Sequence, residues 1–130
     1  MKVQVESASW LDFFGLFIDD NSKVVVMFKT KKVSAHEIAL LISGSMTGES
    51  VGLFERALDS LQKSSYRTIT LDLSNVVDVS SMFVGHILHC HKNLATENRT
   101  IRICGYQDSV GEILKLLNVN NSIQMEKDPI

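Results

Sequence analysis

Proline is almost missing: the single one in 130 residues is Pro129, so nothing earlier in the chain has to break or kink a helix or strand. Cysteine is nearly as scarce. Cys90 and Cys104 are too few for a disulfide framework and lack the spacing of a metal knuckle, which makes the reducing cytoplasm the natural compartment. Charge of one sign is also lacking, because 13 lysines and arginines stand against 15 aspartates and glutamates for a formal net charge of −2. The basic residues are scattered, so no stripe could neutralise a run of phosphates, and no nucleic acid partner is expected. The longest aromatic and apolar stretch, Trp10 to Ile18, is about half of the ~20 residues that cross a bilayer, and Asp12 interrupts it. No membrane span is expected. Without a basic leader or a small-residue cleavage site, the stretch does not read as a signal peptide either. There is no phosphate-cradling glycine loop and no nucleophile elbow, so the chain does not read as an enzyme and implies no cofactor.

What is present is enough apolar material for one packed domain, with 45% hydrophobic and 22% charged residues. Trp10, Phe13, Phe14 and Phe17 recur at helical spacing behind Ser9 and Asp12, which predicts an added aromatic helix within an N-terminal extension over 1–22. Its stripe would cap the domain's own sheet or helices, form a dimer or partner surface, or rest on a membrane surface. From Lys23 the pattern turns to strands. Val24 to Phe28 and Ile38 to Ile42 are two neighbouring strands, followed by a loop over Ser43 to Gly48 and a helix over Glu49 to Leu61. Thr68 to Leu73 suits a central strand. A helix follows, with Phe83, Val84, Ile87, Leu88 and Leu94 inward, then a strand over Ile101 to Cys104, a helix over Ser109 to Leu117 and a last strand over Ile123 to Met125. Strands alternating with helices imply right-handed crossovers, so 23–130 reads as an α/β domain with a small, mostly parallel mixed sheet and helices packed against it.

Two clusters invite chemistry and each has a plain structural reading. His86, His89, Cys90 and His91 are the only group with metal-binding side chains, but on a helix His91 faces away from the others and no three converge, so no metal site is assigned. Asp72 and Asp78 flank the C-terminal end of the central strand, where α/β folds often place ligands, which keeps a small-ligand or nucleotide site open. The plain reading of Asp72 is a carboxylate bonding turn amides. Ser80, Ser81 and Met82, taken alone, read as a helix N-cap with one buried methionine.

Leu41 to Met46, Ile69 to Val76 and Ile101 to Gly105 are three patterns that together resemble the STAS domain, the anti-sigma factor antagonist family. Leu41-Ile42-Ser43-Gly44-Ser45-Met46 is similar to the family's strand that ends in glycine, an acidic residue and leucine, with Ser45 standing where the acidic residue is usual. Ile69-Thr70-Leu71-Asp72-Leu73-Ser74-Asn75-Val76 resembles its central strand. Ile101-Arg102-Ile103-Cys104-Gly105, followed by Ser109-Val110 and Ile113 to Leu117, resembles its penultimate strand and closing helix. The family's Asp-Ser-Ser-Gly phosphorylation signature, laid without gaps, falls on Ser80, Ser81, Met82 and Phe83, so methionine occupies the phosphoacceptor place. Sliding by one residue aligns Ser80 and Ser81 with the serine pair but breaks the match at Gly85.

The resemblance implies a non-enzymatic regulatory module that docks on a protein partner, such as a kinase, phosphatase, scaffold or transport component. Ser80, Ser81, Met82, Phe83 and His86 would form the docking surface, with Ser45 and Asp72 in a loop at the strand ends. Two alternatives stay open: a phosphorylated switch using Ser81 or Ser80, and a small-ligand binder. A homodimer is compatible with each.

Overall fold

The computed structural model describes residues 3–6, 15–18 and 24–130, with side chains from Val26 onward. Seven strands form one sheet in chain order: β1 (Val3–Glu6), β2 (Gly15–Ile18), β3 (Val24–Lys32), β4 (Glu37–Met46), β5 (Thr68–Val79), β6 (Thr100–Cys104) and β7 (Gln124–Glu126). Three helices sit between the last four strands: α1 (Ser50–Gln62), α2 (Ser81–Ala95) and α3 (Asp108–Leu116). The sheet is mixed, as the sequence implies. β1 to β4 pair antiparallel and β4 to β7 pair parallel, each parallel connection carrying a helix.

Strand order that never reverses, combined with right-handed crossovers, places successive helices on the same face of the sheet. The core agrees. Ile38, Leu40 and Ile42 of β4, Ile69, Leu71 and Leu73 of β5, and Ile101 and Ile103 of β6 alternate onto one face. They join Leu53, Phe54, Ala57 and Leu58 of α1, Phe83, Val84, Ile87 and Leu94 of α2, and Val110 and Leu114 of α3 in one cluster. The residues between them point to the other face, where Ala39 and Leu41 of β4 adjoin a polar group: Thr70 donates to Glu37 Oε2 at 2.6 Å, and Arg102 lies between Glu37 at 3.6 Å and Glu126 at 3.3 Å.

Two expectations change. Of the helix predicted over Trp10 to Phe17, the described part is the strand β2, in which Phe17 pairs with Val26 of β3. Pairing with β3 satisfies backbone groups that a short glycine-containing helix would hold only weakly. Trp10, Phe13 and Phe14 lie outside the described residues. The loop predicted at Ser43 to Gly48 is strand as far as Met46: Ser43, Gly44, Ser45 and Met46 pair with Asn75, Val76, Asp78 and Val79. Register shifts between Leu41 and Ser43 and between Gly44 and Ser45 absorb the irregular sequence there, and Gly44 takes a positive φ of 107°. β4 and β5 thereby run together to the point where α1 and α2 begin.

Candidate functional site

The end of the domain at which β4 and β5 stop is held by hydrogen bonds from short polar side chains. Ser50, the first residue of α1, donates its hydroxyl to the carbonyls of Ser45 and Thr47, both at 2.7 Å. The Ser45 and Thr47 hydroxyls lie 3.1 Å apart. The Ser80 amide donates to the Met46 carbonyl at 3.0 Å, which carries the β4–β5 pairing straight into α2. Ser80 then caps that helix. Its backbone is extended, with φ −101° and ψ 163°, and its Oγ accepts from the Phe83 amide at 3.2 Å. Ser80→Ala should cost about 1 kcal/mol of stability, read as a lower denaturation midpoint with an unchanged slope.

The cap fixes how the next residues point. Ser81 is exposed and Met82 is 66% exposed, so the methionine is not the buried residue that an N-cap reading alone implies. Val77, five residues earlier, is 59% exposed. Phe83 is a correction to the expected docking surface. It is fully buried, with its ring centroid 4.3 Å from that of Phe54, because the helical period turns it inward with Val84 and Ile87. His86, one turn beyond Met82, is partly exposed, and its Nε2 meets Glu55 Oε2 of α1 at 3.0 Å.

Ser45 and Asp72 are not loop neighbours. Both lie in strands, Ser45 opposite Asp78 and Asp72 opposite Leu41, several residues apart along β5. The Asp72 carboxylate is buried and engaged: one oxygen accepts from the Ser74 amide at 2.9 Å and from the Ser74 hydroxyl, the other from the Ile130 amide at 3.3 Å. Asp72 is thus a structural carboxylate, but it bonds an amide of its own strand and that of Ile130 rather than turn amides. Gly105, at φ +70°, makes room for the arrangement, since a Cβ there would lie 2.8 Å from Asp72 Oδ1.

The histidines fall on different environments. Cys90 is buried in the core, where desolvation pushes its thiol up to about 12, whereas His86 and His89 line a polar groove of about 330 Å³ between α1 and α2. Glu55, Leu58, Asp59, Gln62 and Asn93 complete its walls, and Asn93 Nδ2 donates to Gln62 Oε1 at 3.1 Å. Among the described residues no three His, Cys, Asp or Glu side chains are grouped to hold a metal ion. Nor is any described helix long and apolar enough to cross a membrane.

The sequence pattern of one family, described as the STAS domain, matches residues 28–129. The chain belongs to the STAS domain family. Solved structures share the fold at low identity. An anti-sigma factor antagonist from Mycobacterium paratuberculosis superposes with a TM-score of 0.71 at 13% identity, covering 84% of this chain and 89% of that one. A Thermotoga maritima protein assigned as an anti-sigma factor antagonist gives 0.69 at 21% identity, with 76% and 85% covered. The unphosphorylated form of SpoIIAA, a Bacillus cell-fate determinant and anti-sigma factor antagonist, gives 0.65 at 12% identity, with 75% and 86% covered. Comparison with curated proteins finds no match. Within this STAS domain, the four positions aligned with the phosphorylation signature divide by burial. Ser80 is the cap, Ser81 and Met82 are outside, and Phe83 is core.

One structural residue was missed by the sequence reading. Arg99 donates to the carbonyls of Leu61 at 3.2 Å, Gln62 at 2.6 Å and Tyr66 at 2.8 Å, and so closes the C-terminal end of α1 from a distant part of the chain. No local pattern around Arg99 reports contacts made more than thirty residues away.

Proposed function

We propose that this STAS domain is a non-enzymatic regulatory module of the cytoplasm, which binds a partner protein through the start of α2. The observation that carries the reading is Met82, an apolar and flexible side chain left 66% exposed on the first turn of a helix whose cap and core face are both fixed. Val77 adds a second exposed apolar residue at the end of β5. A rigid frame presenting adaptable apolar contacts suits protein docking, because little ordering is needed on binding. The partner class is the one associated with antagonists of this fold: a kinase, phosphatase, scaffold or transport component.

The test compares wild type with Met82→Asp in affinity purification from the native cells. The variant should melt at the same temperature, because the site is exposed, and should retain less than about a tenth of the specific partner, because a buried unpaired charge at an interface is costly. Equal recovery by both proteins would remove Met82 from the docking surface.

A second reading, phosphorylation, is favoured at one serine by the geometry. The Ser80 hydroxyl is engaged as the cap, whereas Ser81 is exposed in the first helical turn, where a phosphate is stabilised by the helix dipole. Mass spectrometry of the native protein finding no phosphate on Ser81 under any growth condition would eliminate it.

A further inference from the structure

We infer that the partner surface meeting the start of α2 is apolar at its centre and basic at its edge, a long aliphatic or aromatic side chain flanked by lysine or arginine. The inference rests on the docking reading above and adds the chemistry of the occupant. Among the described residues, Ser43–Phe54 and Thr68–Gly85 build this end of the domain beside the start of β3, and their charged residues are Glu49, Asp72 and Asp78, all carboxylates. Asp72 is buried and occupied by Ser74 and Ile130. Glu49 and Asp78 are exposed.

Their positions tie them to the apolar pair. Asp78 stands opposite Ser45 in the β4–β5 ladder, and the Ser45 carbonyl holds the hydroxyl of Ser50, the residue after Glu49. Asp78 also follows Val77 directly, and its Oδ1 accepts from the Val79 amide at 2.9 Å, which pins the carboxylate at the strand end. Val77 and Met82 thus lie on segments that carry or adjoin an exposed carboxylate, Asp78 beside Val77 at the end of β5 and Glu49 at the start of α1. Farther along α2 the sign is no longer uniform, because Lys92 follows. The positive end of the helix dipole offsets the carboxylates only within the first turn. Charges at the rim of an interface steer the encounter and reject like-charged partners, while apolar side chains at its centre supply the contact. An acidic partner face would meet Asp78 and Glu49 with repulsion. A basic one would be drawn to them.

The probes are two synthetic amphipathic peptides with identical leucine positions, one carrying lysine and arginine at every polar position and the other glutamate. Each is titrated into the 15N-labelled full chain. The basic peptide should shift the amides of Val77, Asp78, Ser81 and Met82. Its affinity should fall several-fold between about 50 and about 200 mM salt, as the screening length shortens. In the Glu49→Gln, Asp78→Asn double variant, which removes both charges and keeps a side-chain oxygen to accept from the Val79 amide, it should fall several-fold with little change in melting temperature. The glutamate peptide should leave this end unperturbed. If both peptides perturb the same residues with equal affinity, the basic-partner inference is overturned while docking at an apolar site stands. If neither perturbs this end, the inference and the docking reading fall together.

Discussion

Replacing Phe83 with alanine is expected to destabilise the domain by about 3–5 kcal/mol, among the largest losses available to a single substitution in this fold. The ring is completely buried, its centroid lies 4.3 Å from that of Phe54, and the Phe54 ring lies 6.3 Å from that of Phe28. These three side chains link α2 through α1 to β3, so the loss would combine buried apolar area with a cavity that backbone on three elements cannot close. Met82→Ala, one residue away and on the outside, should change stability by less than about 0.5 kcal/mol. Urea denaturation of the pair separates the two roles. Similar losses for both would mean that the first turn of α2 is not divided into a core side and an exposed side.

The second large effect is expected at Arg99, where alanine should cost about 2–3 kcal/mol. The guanidinium is largely shielded and donates to three carbonyls at and just beyond the end of α1, while the positive charge also suits the negative end of that helix. Truncation would leave the Gln62 and Tyr66 carbonyls to whatever water can reach them, whereas Leu61 keeps the Ser64 amide at 3.1 Å and the Ser64 hydroxyl at 2.5 Å. Lysine should restore little of the loss, because a single ammonium cannot reproduce a planar fork that spans Leu61, Gln62 and Tyr66. The expected order of denaturation midpoints is therefore wild type, then Arg99→Lys, then Arg99→Ala. A lysine variant as stable as wild type would show that charge alone, not the geometry of the fork, secures the end of α1.

These two residues also show what a sequence can report. The helical period around Phe83 already placed it inward with Val84 and Ile87, and the burial agrees with that period. Reading the same residue from its place in the phosphorylation signature put it on the docking surface, and there the periodicity was the better guide. The central strand was legible because Ile69, Leu71 and Leu73 alternate with polar residues. Its extension to Val79 was not, because the pairing of Ser43–Met46 with Asn75–Val79 passes through register shifts that destroy the alternation. Serine and glycine there read as a loop, and only the neighbouring strand makes them sheet. Phe17 shows the same override from the other side. Its spacing from Trp10 and Phe13 suggests a helix, yet the backbone of 15–18 pairs with β3. Arg99 was invisible for a different reason, since its partners are brought close only by the crossover connections.

The first turn of α2 is exposed at Ser81 and Met82, and its reading as a docking surface rests on a resemblance rather than on local pattern. The local pattern suggested a capped helix with Met82 inside. The cap is present and Met82 is outside, so the same N-terminal hydrogen bond that stabilises the helix also aims its apolar side chain at solvent.

Docking at that turn is tested most directly by placing a photo-crosslinking amino acid at position 82 in the full chain, in its native cells. A matched control carries it at position 116, where Leu116 on α3 is even more exposed, at 80%. Position 82 should yield one dominant protein adduct and position 116 none of that mass. An adduct formed from position 116 and absent from position 82 would contradict the account.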